Sequence, residues 1–111
     1  MQARFTREEA IEEITRRLVE YYQPERIYLF GSVARGDDGT DSDLDFCVVV
    51  PDEIPAEKLH SGAVYSFVSG TGHAKDIVPW RRTDFDLRAQ HVVSSLPATV
   101  IREGRLLYDA R

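Results

Sequence analysis

With 111 residues, 42% hydrophobic and 30% charged, the chain has the make-up of one folded domain spanning 1–111 rather than a disordered segment. Its net charge of −5 argues against non-specific binding to a nucleic-acid backbone, which rewards a basic face. No apolar run reaches the length of a membrane span, the charged start Met1-Gln2-Ala3-Arg4-Phe5 lacks the core of a signal peptide, and the single Cys47 has no disulfide partner; a reducing cytoplasm is the expected location.

In chain order, Thr6-Arg7-Glu8-Glu9 has the form of a capping box. Behind it Ile11, Ile14, Leu18 and Tyr21 or Tyr22 recur at helical spacing, predicting a helix over about 7–22 that Pro24 ends. Arg26 to Phe30 reads as a strand punctuated by Gly31, and Ser32 to Arg35 as a short helical turn before Gly36. Asp37 to Ser42 is a polar loop whose Asp37, Asp38 and Asp41 are expected to be solvated, and Leu44 to Val50 is the strongest strand signal.

Pro55 can open a second helix running to about Val68, with Leu59, Ala63, Val64 and Phe67 on its buried face. Gly70-Thr71-Gly72 breaks it, and Ala74 to Trp80 reads as a third strand. From Thr83 the pattern is helical, with Leu87, Val92, Val93, Val100 and Ile101 available for packing, and Pro97 is expected to kink or split it. Gly104 is a plausible helix cap, and Arg105 to Tyr108 a short last strand. The order α-β-α-β-α-β-α(-β) implies an α+β or α/β fold, a small mixed sheet with helices packed on it.

The chemistry is concentrated between Gly31 and Asp45. Asp43 and Asp45, two residues apart at the start of a strand, project from one face. Carboxylates held so close repel each other, and a hard divalent cation, magnesium above all, is the natural occupant between them. Gly31-Ser32 ends a neighbouring strand and opens a turn whose amides and hydroxyl suit phosphate oxygens. A phosphate cradle facing a carboxylate pair is the minimum for phosphoryl or nucleotidyl transfer. Asp76 sits in the third strand among apolar residues, where a buried strand would not carry a charge without reason. If that strand adjoins the Asp43–Asp45 strand, Asp76 becomes the third carboxylate and the natural general base.

The run Gly31-Ser32, ten intervening residues, then Asp43-x-Asp45 resembles the signature of the DNA polymerase beta-like nucleotidyltransferases. Gly31-Ser-x-Ala-Arg-Gly36 with Ser42-Asp43-x-Asp45, together with Asp76 and the closing Glu103-Gly104-Arg105-Leu106-Leu107-Tyr108, is similar to the minimal nucleotidyltransferase branch. The resemblance implies nucleotide contacts from Gly31, Ser32, Arg35 and Ser42, two magnesium ions on Asp43, Asp45 and Asp76, and Asp76 as the base. It implies AMP transfer from ATP to an acceptor hydroxyl. In that branch many members are antitoxins paired with a HEPN-domain ribonuclease toxin, some modifying a toxin tyrosine with AMP. The partners it implies are therefore a nucleoside triphosphate and a HEPN-type toxin in a homo- or hetero-oligomer, with no direct nucleic-acid or membrane contact.

Plainer readings stand beside these. Asp43 and Asp45 can serve as a helix cap and a solvated strand end, Asp76 as an ion-pair partner of Lys75 or Arg35, and Arg35 as a structural partner of Asp43. Ser32 can cap the helix that follows it. Cys47 reads as core, and His60, His73 and His91 lack metal-ligand spacing. Trp80 with Arg81 and Arg82 reads as a rim anchor or core edge. A binding module that neutralises a partner by occlusion is the alternative to an enzyme. An aminoglycoside-type small-molecule nucleotidyltransferase is a third reading, ranked well below these because such enzymes carry an added helical acceptor domain that is not expected in this sequence.

Overall fold

The computed structural model describes residues 5–36 and 42–111; the expected solvated acids Asp37, Asp38 and Asp41 lie outside them. Helix α1 (Arg7–Tyr22) opens on the predicted capping box: Thr6 Oγ1 accepts from the Glu9 amide at 3.1 Å, and Glu9 Oε1 accepts from the Thr6 amide at 2.8 Å. Ala10, Ile11, Ile14, Leu18 and Tyr22 form its buried stripe. It stops at Gln23, which adopts a left-handed conformation (φ 51°) immediately before Pro24.

Strand β1 (Arg26–Phe30) leads directly into α2 (Gly31–Arg35), and β2 (Leu44–Val50) follows. Then come α3 (Ala56–His60), α4 (Ala63–Phe67), β3 (Lys75–Arg81), α5 (Arg82–His91), α6 (Leu96–Glu103) and β4 (Arg105–Asp109). The sheet order is β3-β2-β1-β4, with β1 antiparallel to both β2 and β4, and β2 parallel to β3. This is the mixed α+β arrangement the element order predicts. Among the described residues no helix is long and apolar enough to cross a membrane.

The sheet is covered on both faces. Ile27, Leu29, Leu44, Phe46, Val48 and Val50 pack against α1. Tyr28, Cys47 and Val49 point the other way, towards Phe85 of α5 and Val100 of α6; the Tyr28 and Phe85 rings stack with centroids 5.9 Å apart. Burial on both sides explains why β2 is apolar at every position except Asp45.

Three expectations need correction. The single helix over 55–68 is two short ones, because Ser61 is extended and its Oγ accepts from the Ala63 amide at 3.0 Å, restarting the helix. Its buried residues are Val64 and Val68, while Ala63 and Phe67 are exposed and Leu59 is only partly buried. In the C-terminal helical region, Leu87, Val92, Val93 and Ile101 are exposed, and only Val100 of the expected set is buried. Phe85, Pro97 and Ala98 bury instead. Pro97 sits in the first turn of α6, where its missing N–H costs nothing, and Ser95 caps that turn by accepting from the Ala98 amide at 3.2 Å. The third strand begins and ends one residue later than predicted, at Lys75 and Arg81.

Candidate active site

Side-chain alternation along β2 sends Leu44 and Phe46 to the α1 side and Asp45 to the opposite face, with Cys47 and Val49. Asp43, two positions before Asp45, is exposed just ahead of the strand, next to the partly buried Ser42. In the parallel pair β2–β3, Asp45 lies directly across from Asp76, so both leave the sheet on the same face. The Leu44 amide donates to the Ala74 carbonyl at 2.9 Å, starting that pairing at the level of the acids.

Electrostatics agrees with this convergence. The Asp45 carboxyl is pushed above the usual carboxylate range, first by burial, then by the negative charge of Asp76, then by that of Asp43. The expectation that Asp76 lies in a buried strand is not met. β3 is an edge strand and Asp76 is exposed on it, so its charge is solvated at the rim, and the ion pairing needed by a buried carboxylate does not arise.

Gly31 forms the opposite wall. It follows Phe30, whose partner across β1–β2 is Asp45, and it takes φ +79°, a conformation open to glycine and costly for other residues. A Cβ built on it would lie 2.3 Å from Asp45 Oδ2. The bend and the carboxylate therefore share one volume. From there α2 carries partly buried Ser32, Val33 and Ala34 to exposed Arg35. Gly36 (φ 79°) closes α2, its amide donating to the carbonyls of Ser32 at 3.0 Å and Val33 at 3.2 Å.

Arg35 points towards α6, with its Nη1 3.7 Å from Glu103 Oε1. In sequence Glu103 appears only within the closing run Glu103 to Tyr108, and its place beside Arg35 depends on how Gly104 seats the end of α6. A Cβ on Gly104 would meet the Val100 carbonyl oxygen at 2.5 Å and that of Leu29 at 3.0 Å. The absent side chain lets the end of α6 lie close against β1, two residues ahead of Gly31. An acidic residue followed by glycine at a helix end is the local sequence signal for this placement.

The remaining candidates stand apart from the acids. Cys47 is fully buried and its thiol is pushed up to about 12 by burial, which leaves it inert as a nucleophile. His73 Nε2 lies 3.2 Å from the Phe5 carbonyl oxygen, and His60 and His91 are exposed. Trp80 packs against the second core beneath the Arg88 guanidinium, 5.6 Å from its ring centroid. Arg81 donates to the Ile54 carbonyl at 2.9 Å, and Arg82 pairs with Glu25 and Asp52.

The donor set at the rim is all carboxylate, the chemistry of a hard divalent cation. Among the described residues no group of three or more His, Cys, Asp or Glu side chains is placed to hold a metal ion.

Residues 11–99 match the family model described as nucleotidyltransferase domain. No curated protein matches the chain. Two solved structures are similar. One is a toxin-antitoxin with AMP-PNP, at TM-score 0.60 and 21% identity over 90% of this chain and 74% of the other. The second is a mutant of the toxin-antitoxin MntA-HpeT with two aspartates, two positions apart, changed to glutamate; its TM-score is 0.58 at 21% identity, over 90% and 74% of the two chains. At that identity the likeness is one of fold.

Proposed function

The chain belongs to the nucleotidyltransferase domain family and has its polymerase beta-like fold, and from that premise we propose that it transfers AMP from ATP to an acceptor hydroxyl, using Asp43, Asp45 and Asp76. The observation that carries this reading is the pairing of Asp45 with Asp76 across β2–β3, at the bend where Gly31 leaves room for the Asp45 carboxylate.

The triphosphate lies against the Gly31-Ser32 bend, where the Ser32 hydroxyl and backbone amides bond its oxygens, and Arg35 and Ser42 flank it. The acceptor oxygen bonds to the α-phosphorus as the bond from that phosphorus to the bridging oxygen breaks, and pyrophosphate leaves. Asp76, solvent-facing and opposite Asp45, takes the acceptor proton. Magnesium ions, held by Asp43, Asp45 and Asp76, would supply charge neutralisation for the phosphates. Magnesium often takes only one or two carboxylates and fills its octahedron with water and phosphate oxygens, so the facing pair Asp45 and Asp76 would be enough to begin such a site.

The acceptor in this reading is a tyrosine of a HEPN-type toxin, and the chain acts as the antitoxin. Support comes from the toxin-antitoxin character of both neighbours, from AMP-PNP in one, and from aspartates in the other spaced as Asp43 and Asp45 are. Labelled ATP, magnesium and the partner toxin should yield labelled toxin, and Asp43→Asn with Asp45→Asn should abolish it. Equal labelling by wild type and double variant would overturn the reading.

A second reading, neutralisation by occlusion, is favoured by the exposed Leu87, Val92, Val93 and Ile101 on the α5–α6 hairpin. A double variant that no longer labels the toxin yet protects cells fully would select it.

A further inference from the structure

We infer that Tyr65 is a positioning residue for Asp76, bracing from α4 the edge strand on which that carboxylate stands. The inference rests on Asp76 being a working acid and adds what holds that acid in place.

Among the described residues β3 has a strand neighbour, β2, along one side only. An acid on such a strand is located by half the backbone ties of a central strand. Backbone groups along β3 alternate between inward and outward directions. The Ala74 carbonyl accepts from Leu44 of β2, so even-numbered positions aim inward and odd-numbered ones outward. At the outward position next to Asp76, the Ile77 amide donates to the Tyr65 hydroxyl at 3.0 Å, and the same hydroxyl donates to the Ile77 carbonyl at 3.4 Å. One side-chain oxygen thus occupies both outward groups of the adjoining residue. On the other flank, Lys75 Nζ donates to the Val68 carbonyl at 3.3 Å. Both neighbours of Asp76 are tied to α4 or its cap.

The brace has a firm footing. Val64 and Val68 are 2% and 0% exposed in the α1-side core, Phe67 packs on the Tyr21 ring with centroids 5.5 Å apart, and Arg17 Nη1 donates to the Ser69 carbonyl at 2.7 Å. Tyr65 itself is 43% exposed, so the core does not need its hydroxyl. Pro79, the next outward position, has no N–H to offer, and an added strand cannot take over the tie.

The test compares wild type with Tyr65→Phe, Asp76→Asn and the double variant. Amide exchange at Ile77, kcat and KM for labelled transfer, and Mn2+ affinity of the protein alone are measured. Loss of the hydrogen bond should speed Ile77 exchange roughly five- to tenfold. Tyr65→Phe should lower kcat roughly tenfold with KM for ATP within about twofold, as expected when a transition-state group is displaced. It should weaken Mn2+ binding as Asp76→Asn does, and add no further loss in the Asp76→Asn background.

Unchanged Ile77 exchange, or faster exchange with unaltered kcat and Mn2+ affinity, would overturn the inference, as would an equal kcat loss from Tyr65→Phe in both backgrounds. Wild-type protein that transfers nothing but binds Mn2+ would sink the proposed activity alone, leaving the Mn2+ comparison to decide the brace. Wild type with neither property would sink both.

Discussion

Gly31 and Asp45 compete for the same space: the position a Cβ would take on residue 31 is 2.3 Å from Asp45 Oδ2. Gly31→Ala must therefore displace a carboxylate while also carrying a side chain at φ +79°. The conformational part alone costs about 1–2 kcal/mol, and the clash adds to it. The expected outcome is a Tm lowered by several degrees and transfer activity reduced well over tenfold, read by calorimetry and by labelled transfer. A variant of wild-type activity would show that the bend does not shape the site.

The mutual repulsion around Asp45 makes a pH prediction. Its carboxyl is raised by burial, then by Asp76, then by Asp43, so the folded state holds a proton more tightly than the unfolded chain. Stability then falls as pH rises from the ordinary carboxylate range through the raised value. Asp45→Asn removes that penalty, so its Tm relative to wild type should be more favourable at pH 7 than at pH 3. Magnesium should raise the wild-type Tm at pH 7 and raise that of Asp45→Asn less. A Tm difference independent of both pH and magnesium would contradict this.

Arg35 reaches towards Glu103 at 3.7 Å, with both side chains more than two-fifths exposed. Exposed pairs contribute little to stability, whereas a charged hydrogen bond to phosphate is substantial. Arg35→Ala should leave Tm within a degree or two and weaken ATP binding about tenfold, measured by titration calorimetry. A large Tm change with unaltered ATP affinity would mark Arg35 as structural.

Gly104 has little room for a methyl group, its Cβ position being 3.0 Å from the Leu29 carbonyl oxygen of β1 and 2.5 Å from the Val100 carbonyl oxygen of its own helix. Gly104→Ala should force α6 away from β1 and cost about 2 kcal/mol or more in denaturant unfolding, in the range of overpacked sites. Thr6→Ala, which removes only the α1 cap, should cost about 1 kcal/mol. If Gly104→Ala proves the milder of the two, close packing at Leu29 is not what the glycine serves.

Much of this fold is written in local residue order. The Thr6–Glu9 box, the α1 stripe, the Arg26–Phe30 strand with its bend at Gly31, and the apolar run of β2 are each set by neighbours a few positions apart, so periodicity and capping reveal them. The spacing of Asp43 and Asp45 is likewise visible in local sequence, although only Asp45 lies within β2 and Asp43 stands one residue ahead of it. Other features depend on contacts that no local pattern encodes. Ser61 splits one expected helix into two through its own bond to Ala63, and α5 buries Phe85 while Leu87 stays in solvent, because only the docked sheet determines which side is inside. Asp76 meets Asp45 because a parallel crossover sets the register 31 positions away, and its exposure follows from β3 lying at the sheet edge. The Tyr65 hydroxyl on Ile77 and the Glu103 carboxylate beside Arg35 arise the same way. Local sequence supplied the acids and the bend; long-range packing decided which of them stand together, since a strand's partner and register depend on everything it packs against.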